Sequence, residues 1–201
     1  FNIVADQVAD AVVWDLFAGS GATGIEALSR GARQVIFVEK NNKALEVLRE
    51  NLRMLGEAVM ASSTVVRGDA WEPPGEPGAA ATSPNLIFLD PPYALVLEDP
   101  AKSVYRARRL LQLVAPGGCL MFHFESGALD EDDFDADLTV DLREWGGSAV
   151  AFLWRAGEEP EQVAPLGLGH RGDGAVRGRL GPRSDWARGR RAVPSLPWRT
   201  R

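Results

Sequence analysis

The stretch that decides the fold lies near the N-terminus and reads Val12-Val13-Trp14-Asp15-Leu16-Phe17-Ala18-Gly19-Ser20-Gly21-Ala22-Thr23-Gly24. The apolar run up to Leu16 predicts a buried strand, and the glycines after it predict a tight turn. A helix from Ala22 to Arg30 is expected next, with Gly31 at its C-terminal cap. A strand, a glycine turn and a helix in this order are typical of nucleotide-binding α/β folds, but alone they are weak evidence of function.

The same alternation of strand and helix continues along the chain. Strands are predicted at Gln34–Glu39, Thr64–Val66, Leu86–Leu89 and Cys119–Phe124, with helices from Asn41 or Asn42 to about Leu55 and from Asp99-Pro100 to about Val114. Two closing strands, Leu138–Val140 and Ala149–Trp154, have no helix between them and predict an antiparallel edge hairpin. Continuous apolar strands that alternate with helices indicate a parallel sheet covered on both faces.

Composition excludes several classes of protein. A single cysteine, Cys119, rules out an intrachain disulfide and fits a cytoplasmic protein. With only His123 and His170 to join it, no metal site is expected. No apolar run approaches the roughly 20 residues of a membrane helix, so we expect no membrane partner. We also expect no signal peptide, and because the chain starts at Phe1 rather than Met, we expect further residues upstream.

Charge divides the chain into two parts. From His170 to Arg201 there are nine arginines and two aspartates, a net charge of +7, so the rest carries −13 within a total of −6. We therefore expect a folded domain over residues 1–157 and a Gly/Pro/Arg-rich, disordered tail over 158–201. A basic tail on an acidic body makes nucleic acid a candidate partner, although a solvated extension explains it equally simply. Residues 72–84 are expected to form an irregular loop, and Asp130 to Asp137 a solvated connection.

Four acidic residues stand at the ends of predicted strands or directly after them, namely Asp15, Glu39, Asp69 and Asp90. Ligands of doubly wound sheets bind at the carboxyl ends of the strands. Acids beside buried strands lose hydration unless they have partners, so we expect these four to border a ligand site. Asp15 is expected either to bind the amino-acid part of a cofactor or to brace the glycine turn, and the sequence does not separate these roles.

Glu39 and Asp69 each have a cofactor role and a simpler alternative. The Glu39 carboxylate can accept both hydroxyls of a ribose, but it can also form a surface pair with Lys40 or Lys43. Asp69 is placed to accept from the amino group of an adenine, but an aspartate there can equally cap a turn.

Glycines and aromatic residues of the first turn complete the expected cofactor site. Gly19 and Gly21 let the backbone approach a ligand closely, and the helix that follows presents free N–H groups. Phe17 and Trp71 can contact a cofactor or a nucleobase, although core packing explains both equally well.

The second informative motif is Asp90-Pro91-Pro92-Tyr93, directly after an apolar strand. An exocyclic amine of a nucleobase is a poor nucleophile because its lone pair is delocalised into the ring. A carboxylate on Asp90 and the carbonyl of Pro91 can accept its two hydrogens and turn the lone pair toward a methyl donor, while the prolines keep the segment stiff. Tyr93 offers a face for stacking. The alternative is a Pro-Pro turn with a packed tyrosine.

Two further polar residues lie on or at the end of the fifth predicted strand. His123 falls within it and is expected to be a packed core residue rather than a catalytic one. Glu125 follows the strand and either lines the pocket or is an ordinary loop acid.

Several segments of the chain together resemble the RsmD family of bacterial ribosomal RNA methyltransferases. They are Trp14–Gly31 (WDLFAGSGATGIEALSRG), residues 35–55 with VEKNNKALEVLRENLRML, Leu86–Tyr93 (LIFLDPPY), Ala115–Leu120 (APGGCL) and the region from Trp145 to Leu153. The likeness spans roughly residues 1–155. The family's N-terminal hairpin has no counterpart here, so the chain is expected to be an N-terminally truncated member.

The resemblance implies a fold, an activity and a set of site residues. The fold is a seven-stranded, Rossmann-like class I methyltransferase fold that binds S-adenosyl-L-methionine. The activity is methylation of the guanine N2 amine in 16S ribosomal RNA, with ribosomal RNA or the small subunit as partner, in a monomer. The resemblance implies cofactor contacts at Asp15, Gly19, Gly21, Glu39 and Asp69, and catalysis and base holding at Asp90, Pro91 and Tyr93. From the two motifs we also expect Phe17 to contact the cofactor and Pro92 to belong to the catalytic segment.

Three alternatives to this function stay open. A DNA amino-methyltransferase would use the same residues, although no target-recognition domain is evident. An inactive, truncated methyltransferase would keep the fold without turnover. A nicotinamide-dependent oxidoreductase would fit the G-x-G-x-x-G spacing from Gly19 to Gly24 but gives no role to Asp90-Pro91-Pro92-Tyr93.

Overall fold

The computed structural model describes residues 4–73 and 83–158, and these contain one seven-stranded sheet. The strands are β1 (Val12–Leu16), β2 (Gln34–Glu39), β3 (Ser63–Arg67), β4 (Leu86–Leu89), β5 (Cys119–Glu125), β6 (Leu138–Trp145) and β7 (Ser148–Arg155). Their order across the sheet is β3-β2-β1-β4-β5-β7-β6. The strands from β1 to β5 pair in parallel, and β7 pairs antiparallel with both β5 and β6. The predicted parallel sheet with an antiparallel edge hairpin is therefore confirmed.

Six helices connect or flank these strands. They are α1 (Ala5–Val8), α2 (Ala22–Ser29), α3 (Asn42–Met54), α4 (Glu57–Ala61), α5 (Tyr93–Glu98) and α6 (Pro100–Leu111), with a short 3-10 helix at Glu131–Asp133. The Asn41 side chain caps α3 by accepting from the backbone N–H groups of Lys43 and Ala44, and Asp99 caps α6 by accepting from Lys102. Both caps were predicted from the preference of Asn and Asp for this position.

The core consists of two clusters, one on each face of the sheet. Along β1 the side chains alternate, so that Val12, Trp14 and Leu16 enter the cluster beneath α5 and α6, while Val13 enters the cluster beneath α1, α2 and α3. Asp15 follows the same alternation and therefore points to the face that carries α2 and α3. Residues at or just after the carboxyl ends of β1, β2 and β4, and His123 near the end of β5, line one cleft.

The connections between these elements include an acidic stretch that was predicted to be solvated. The acidic stretch from Asp130 to Asp137 is exposed except for Phe134, as expected for a solvated connection, and Arg108 pairs with Asp135 and Asp137. The predicted loop lies partly, and the tail after residue 158 wholly, outside the described residues. No helix in the described part of the chain is long and apolar enough to cross a membrane.

Candidate active site

The glycine turn after β1 is held by a buried carboxylate. Asp15 Oδ2 accepts a hydrogen bond from the backbone nitrogen of Gly24 at 2.9 Å. A Cβ on Gly24 would lie 2.9 Å from that same oxygen and 2.3 Å from Cε1 of Phe37, so no side chain fits there. Gly21, with φ +83°, begins α2 in a conformation that favours glycine. The geometry thus gives Asp15 the bracing role, while cofactor binding by Asp15 stays a prediction.

Burial makes Asp15 an unusual carboxylate. The side chain is 2% exposed. Burial raises its pKa from 3.8 to about 7, the hydrogen bond from Gly24 opposes this rise, and the negative charges of Asp90 and Glu39 add to it. Because Asp90 and Glu39 act on Asp15 in this way, three of the four predicted acids lie close together at one edge of the sheet.

Glu39 fixes the loop that follows β2. Its Oε2 accepts from the Gly19 nitrogen at 3.0 Å, and its Oε1 accepts from the nitrogens of Lys40 and Asn41 at 2.8 and 2.7 Å. A carboxylate offers about four acceptor positions, so one remains, on Oε2. Accepting both hydroxyls of a ribose would require Oε1 to release one of its backbone partners. The expected pairs of Glu39 with Lys40 or Lys43 side chains are not among the ion pairs of the described residues.

Asp69 makes the contact of a turn cap. Its Oδ1 accepts from the backbone nitrogen of Trp71 at 3.0 Å, and the side chain is exposed. This matches the simpler of its two expected roles. Its contact with an adenine stays a prediction.

Phe17 and Trp71 form an aromatic pair next to the glycine turn. Their ring centroids lie 5.3 Å apart at 75°, an edge-to-face arrangement. Trp71 is buried, and the Arg106 guanidinium lies 5.3 Å from the centroid of its ring. Phe17 has φ +62°, a left-handed conformation that is costly for a bulky residue and concentrates at functional sites. Phe17 lines the cleft at this edge of the sheet, and Trp71 belongs to the core.

The motif from Asp90 to Tyr93 lies beside the glycine turn because β4 is the direct neighbour of β1. The Asp90 nitrogen donates to the Leu16 carbonyl at 3.3 Å, which extends this pairing past the end of the strand. Pro92 then precedes α5, which begins at Tyr93. No helix was predicted here, although α5 begins directly after the two prolines.

His123 was expected in the core, and this prediction is wrong. Its side chain is 34% exposed, and its Nδ1 lies 2.7 Å from Oδ1 of Asp90. Its Nε2 lies 3.0 Å from the Tyr93 hydroxyl, which in turn lies 2.8 Å from Oγ of Ser148. The position of His123 near the carboxyl end of β5 could have indicated its role, because Asp90 lies at the same edge of the sheet.

Ten residues border one cleft of about 580 Å³, within the range of small-molecule sites. The lining comprises Phe17, Gly19, Glu39, Lys40, Asn41, Asp90, Pro91, Pro92, Tyr93 and His123. Eight of the ten come from the glycine turn, the end of β2 and the Asp90–Tyr93 motif and its histidine partner, and neither Asp15 nor Asp69 is among them. Within residues 4–73 and 83–158, no group of three potential ligands could hold a metal ion.

Comparison with known proteins places this fold in a class. The sheet is that of the Rossmann-like fold of S-adenosylmethionine-dependent methyltransferases, as predicted. The chain belongs to the family described as conserved hypothetical protein 95, whose model matches residues 1–154. The predicted membership of the RsmD family is thereby confirmed.

Individual relatives resemble parts of the chain. YlbH of Bacillus subtilis (strain 168) is 40% identical over 93 residues, which cover 46% of this chain and 50% of YlbH. The ribosomal RNA small subunit methyltransferase D of Escherichia coli (strain K12) is 37% identical over 93 residues, 46% of this chain and 44% of that protein. The chain thus spans about half the length of these relatives. The solved structure of yhhF from Escherichia coli superposes with a TM-score of 0.58 at 26% identity, covering 77% of this chain and 81% of yhhF.

Proposed function

We propose that the protein methylates the N2 amine of a guanine in 16S ribosomal RNA, with S-adenosyl-L-methionine as methyl donor. The observation that carries this proposal is the single cleft that Gly19 and Glu39 border on one side and Asp90 and Tyr93 on the other. A methyl donor and a nucleobase must meet at one point, and these two motifs, about 70 residues apart in sequence, lie next to each other because β1 pairs with β4.

The first side of the cleft suits the cofactor. S-adenosylmethionine, when bound, supplies a methyl group on a positively charged sulfur. Glu39 keeps an acceptor position on Oε2 for a ribose hydroxyl. The turn at Gly19 allows close approach of the backbone, and Phe17 presents an aromatic ring at the same edge. The carboxylates of Glu39 and Asp90 also give the cleft a negative potential that favours a cationic ligand.

The second side suits a planar base with an amine. The Asp90 side chain is half exposed, so one carboxylate oxygen is accessible to an amine hydrogen. Pro91 offers a carbonyl and no N–H donor, which makes the segment rich in acceptors. When the amine nitrogen takes the methyl group, the carbon–sulfur bond of the donor would break and its electron pair would leave with sulfur as a neutral thioether. The methylated amine becomes acidic, and Asp90 would accept the proton it loses. Alignment of the two reactants supplies most of the acceleration.

The choice of ribosomal RNA rests on relatives and on general chemistry. The Escherichia coli relative is named a ribosomal RNA small subunit methyltransferase. A base that must reach a cleft of this kind leaves its stack, as occurs in RNA loops or by flipping. Two exposed basic residues, Lys102 and Arg109, lie on α6, the second helix after the motif. Arg109 pairs with Glu72 at 3.2 Å, and Lys102 offers positive charge for phosphates.

The test is transfer of tritium from labelled S-adenosylmethionine to small ribosomal subunits or 16S RNA from cells that lack the modification, with the full-length protein. We expect incorporation at guanine N2, its loss in Asp90→Ala, and normal incorporation in Glu46→Gln, an exposed acid on α3 that does not line the cleft. DNA in excess should not compete. Transfer to DNA in preference to RNA, binding of NADH in place of S-adenosylmethionine, or no transfer at all would each overturn the proposal.

A further inference from the structure

We infer that His123 is a positioning residue of the acceptor side, which holds Asp90 and Tyr93 in one hydrogen-bonded array. This inference rests on the proposed function, since it assigns the array a role in holding the amine. Three contacts define it: Asp90 Oδ1 to His123 Nδ1 at 2.7 Å, His123 Nε2 to the Tyr93 hydroxyl at 3.0 Å, and that hydroxyl to Ser148 Oγ at 2.8 Å. The array joins the loop after β4 to β5 and β7.

The donors and acceptors of the array satisfy one another in a single arrangement when the imidazole is neutral. An ionised carboxylate can only accept, so the proton of His123 resides on Nδ1 and is donated to Asp90. Nε2 then accepts from the Tyr93 hydroxyl, and the tyrosine oxygen accepts from Ser148. Each group therefore has one orientation, and the tautomer of the histidine follows from the carboxylate beside it.

In this arrangement the two carboxylate oxygens of Asp90 have different roles. Oδ1 is held by His123, so the carboxylate plane is fixed, and Oδ2 is left for the amine hydrogen. A half-exposed aspartate without such a partner would sample several rotamers, and each misplacement of the acceptor reduces the reactive fraction. The rings of Tyr93 and His123 pack edge to face at 5.4 Å, which fixes the tyrosine plane for stacking as well.

A purely structural explanation accounts less well for these contacts. Residues of β5 on the same face, Cys119 and Met121, pack into the apolar cluster. His123 comes two residues later on that face, where the core ends and the cleft begins. An apolar residue would fill this position as well, but it would leave Asp90 and Tyr93 without their shared partner.

Amide substitutions can separate the two nitrogens of the ring. In His123→Asn the amide nitrogen takes the place of Nδ1 and can still donate to Asp90, whereas in His123→Gln the amide reaches toward Tyr93 and the Nδ1 contact is lost. We expect kcat for methyl transfer to fall about 10- to 100-fold in His123→Ala and His123→Gln and to recover to within about fivefold of wild type in His123→Asn. The Kd for S-adenosylmethionine should stay within about twofold in all three variants.

Controls separate positioning from folding. Met121→Leu, a volume-conserving change on the same face of β5, should leave kcat and the melting temperature near wild type. Equal kcat in the Asn and Gln variants, or a kcat of His123→Ala within about threefold of wild type, would overturn the inference. A kcat that falls in parallel with the melting temperature across the variants would also overturn the inference.

A spectroscopic measurement tests the array even if the proposed function fails. The chain has two histidines, so nitrogen NMR of a histidine-labelled sample assigns His123 by comparison with His123→Gln. We expect neutral His123 to carry its proton on Nδ1 and to lose this preference in Asp90→Ala. A proton on Nε2 at neutral pH would contradict the array, whereas absent methyl transfer in wild type with the Nδ1 tautomer present would contradict only the enzymatic role.

Discussion

Asp15 and Gly24 close the glycine turn through one buried hydrogen bond, from the backbone nitrogen of Gly24 to Oδ2 of Asp15 at 2.9 Å. The strand places the carboxylate, and the absent side chain of Gly24 makes room for it. The two residues therefore depend on each other, and each yields a prediction that needs no ligand.

Asp15→Asn should make stability less dependent on pH. The folded pKa of Asp15 is about 7 against an ordinary 3.8, so between these values the folded state holds the proton and the unfolded state does not. Wild-type stability therefore falls as the pH rises through this window, by about 1.4 kcal/mol per unit at most. The amide keeps an acceptor for Gly24 and has no proton to lose.

Urea unfolding of both proteins from pH 4 to pH 8 measures this effect. Relative to wild type, we expect the free energy of unfolding of Asp15→Asn to increase with pH, by up to about 4 kcal/mol at pH 7. The difference between the two proteins should approach its smallest value near pH 4. A gap that is the same at every pH would show that ionisation of Asp15 is not the cause.

Gly24→Ala should destabilise the protein although Gly24 lies within a helix. Alanine raises helix propensity by about 1 kcal/mol, but its Cβ would lie 2.3, 2.8 and 2.9 Å from Phe37, Val35 and Asp15. Overpacking of this kind costs about 1–3 kcal/mol, so the net loss is up to about 2 kcal/mol and up to several degrees of melting temperature. Gly147→Ala is the matched control, because nothing lies within 4 Å of its added Cβ.

Glu39→Gln should weaken binding of S-adenosylmethionine more than it weakens the fold. The amide keeps the size of the side chain but only one acceptor oxygen, while the carboxylate accepts three backbone N–H groups and retains a position for a hydroxyl. Hydrogen bonds to a charged acceptor contribute about 1.5–3 kcal/mol, so Kd should rise about 10- to 100-fold by calorimetry. Unchanged affinity, with Glu46→Gln alongside, would remove Glu39 from the cofactor site.

Cys119 should be inert toward thiol reagents in the native protein. It is fully buried at the start of β5, and burial raises the pKa of its thiol well above the ordinary range. Reaction with an aromatic disulfide reagent should therefore follow unfolding, with the rate rising at denaturant concentrations that open the sheet. Rapid labelling in buffer would show that β5 is exposed.

The strands could be predicted closely because the limits of an apolar run in the sequence mark where the strand begins and ends. β1, β2 and β4 match the predicted boundaries, since their neighbours on both faces demand continuous burial. β6 extends to Trp145, five residues beyond the prediction, because an edge strand alternates polar and apolar residues such as Asp141 and Leu142. α4 was missed because it has no buried residue and therefore no apolar periodicity.

The site was predictable in its position and less so in its contacts. Acids at the ends of parallel strands meet by topology, so Glu39 and Asp90 could be placed together from sequence. The place of His123 in the site could not be predicted. Alternation along β5 assigns the residue to one face of the sheet but does not show at which residue the buried core ends. Likewise the role of Asp15 depends on a contact with Gly24, which only the path of the turn determines.

The order of the sheet has a consequence for how such proteins diverge. Glu39 and the glycine turn belong to residues 12–67, whereas Asp90, His123 and Ser148 belong to residues 86–155, and in the sheet the two segments are joined by the pairing of β1 with β4. Under the proposed function, a recombination breakpoint in the intervening chain would exchange the half that faces the nucleobase and leave the other half intact. Chimeras of related chains would then acquire new target bases without rebuilding the pocket for the shared methyl source.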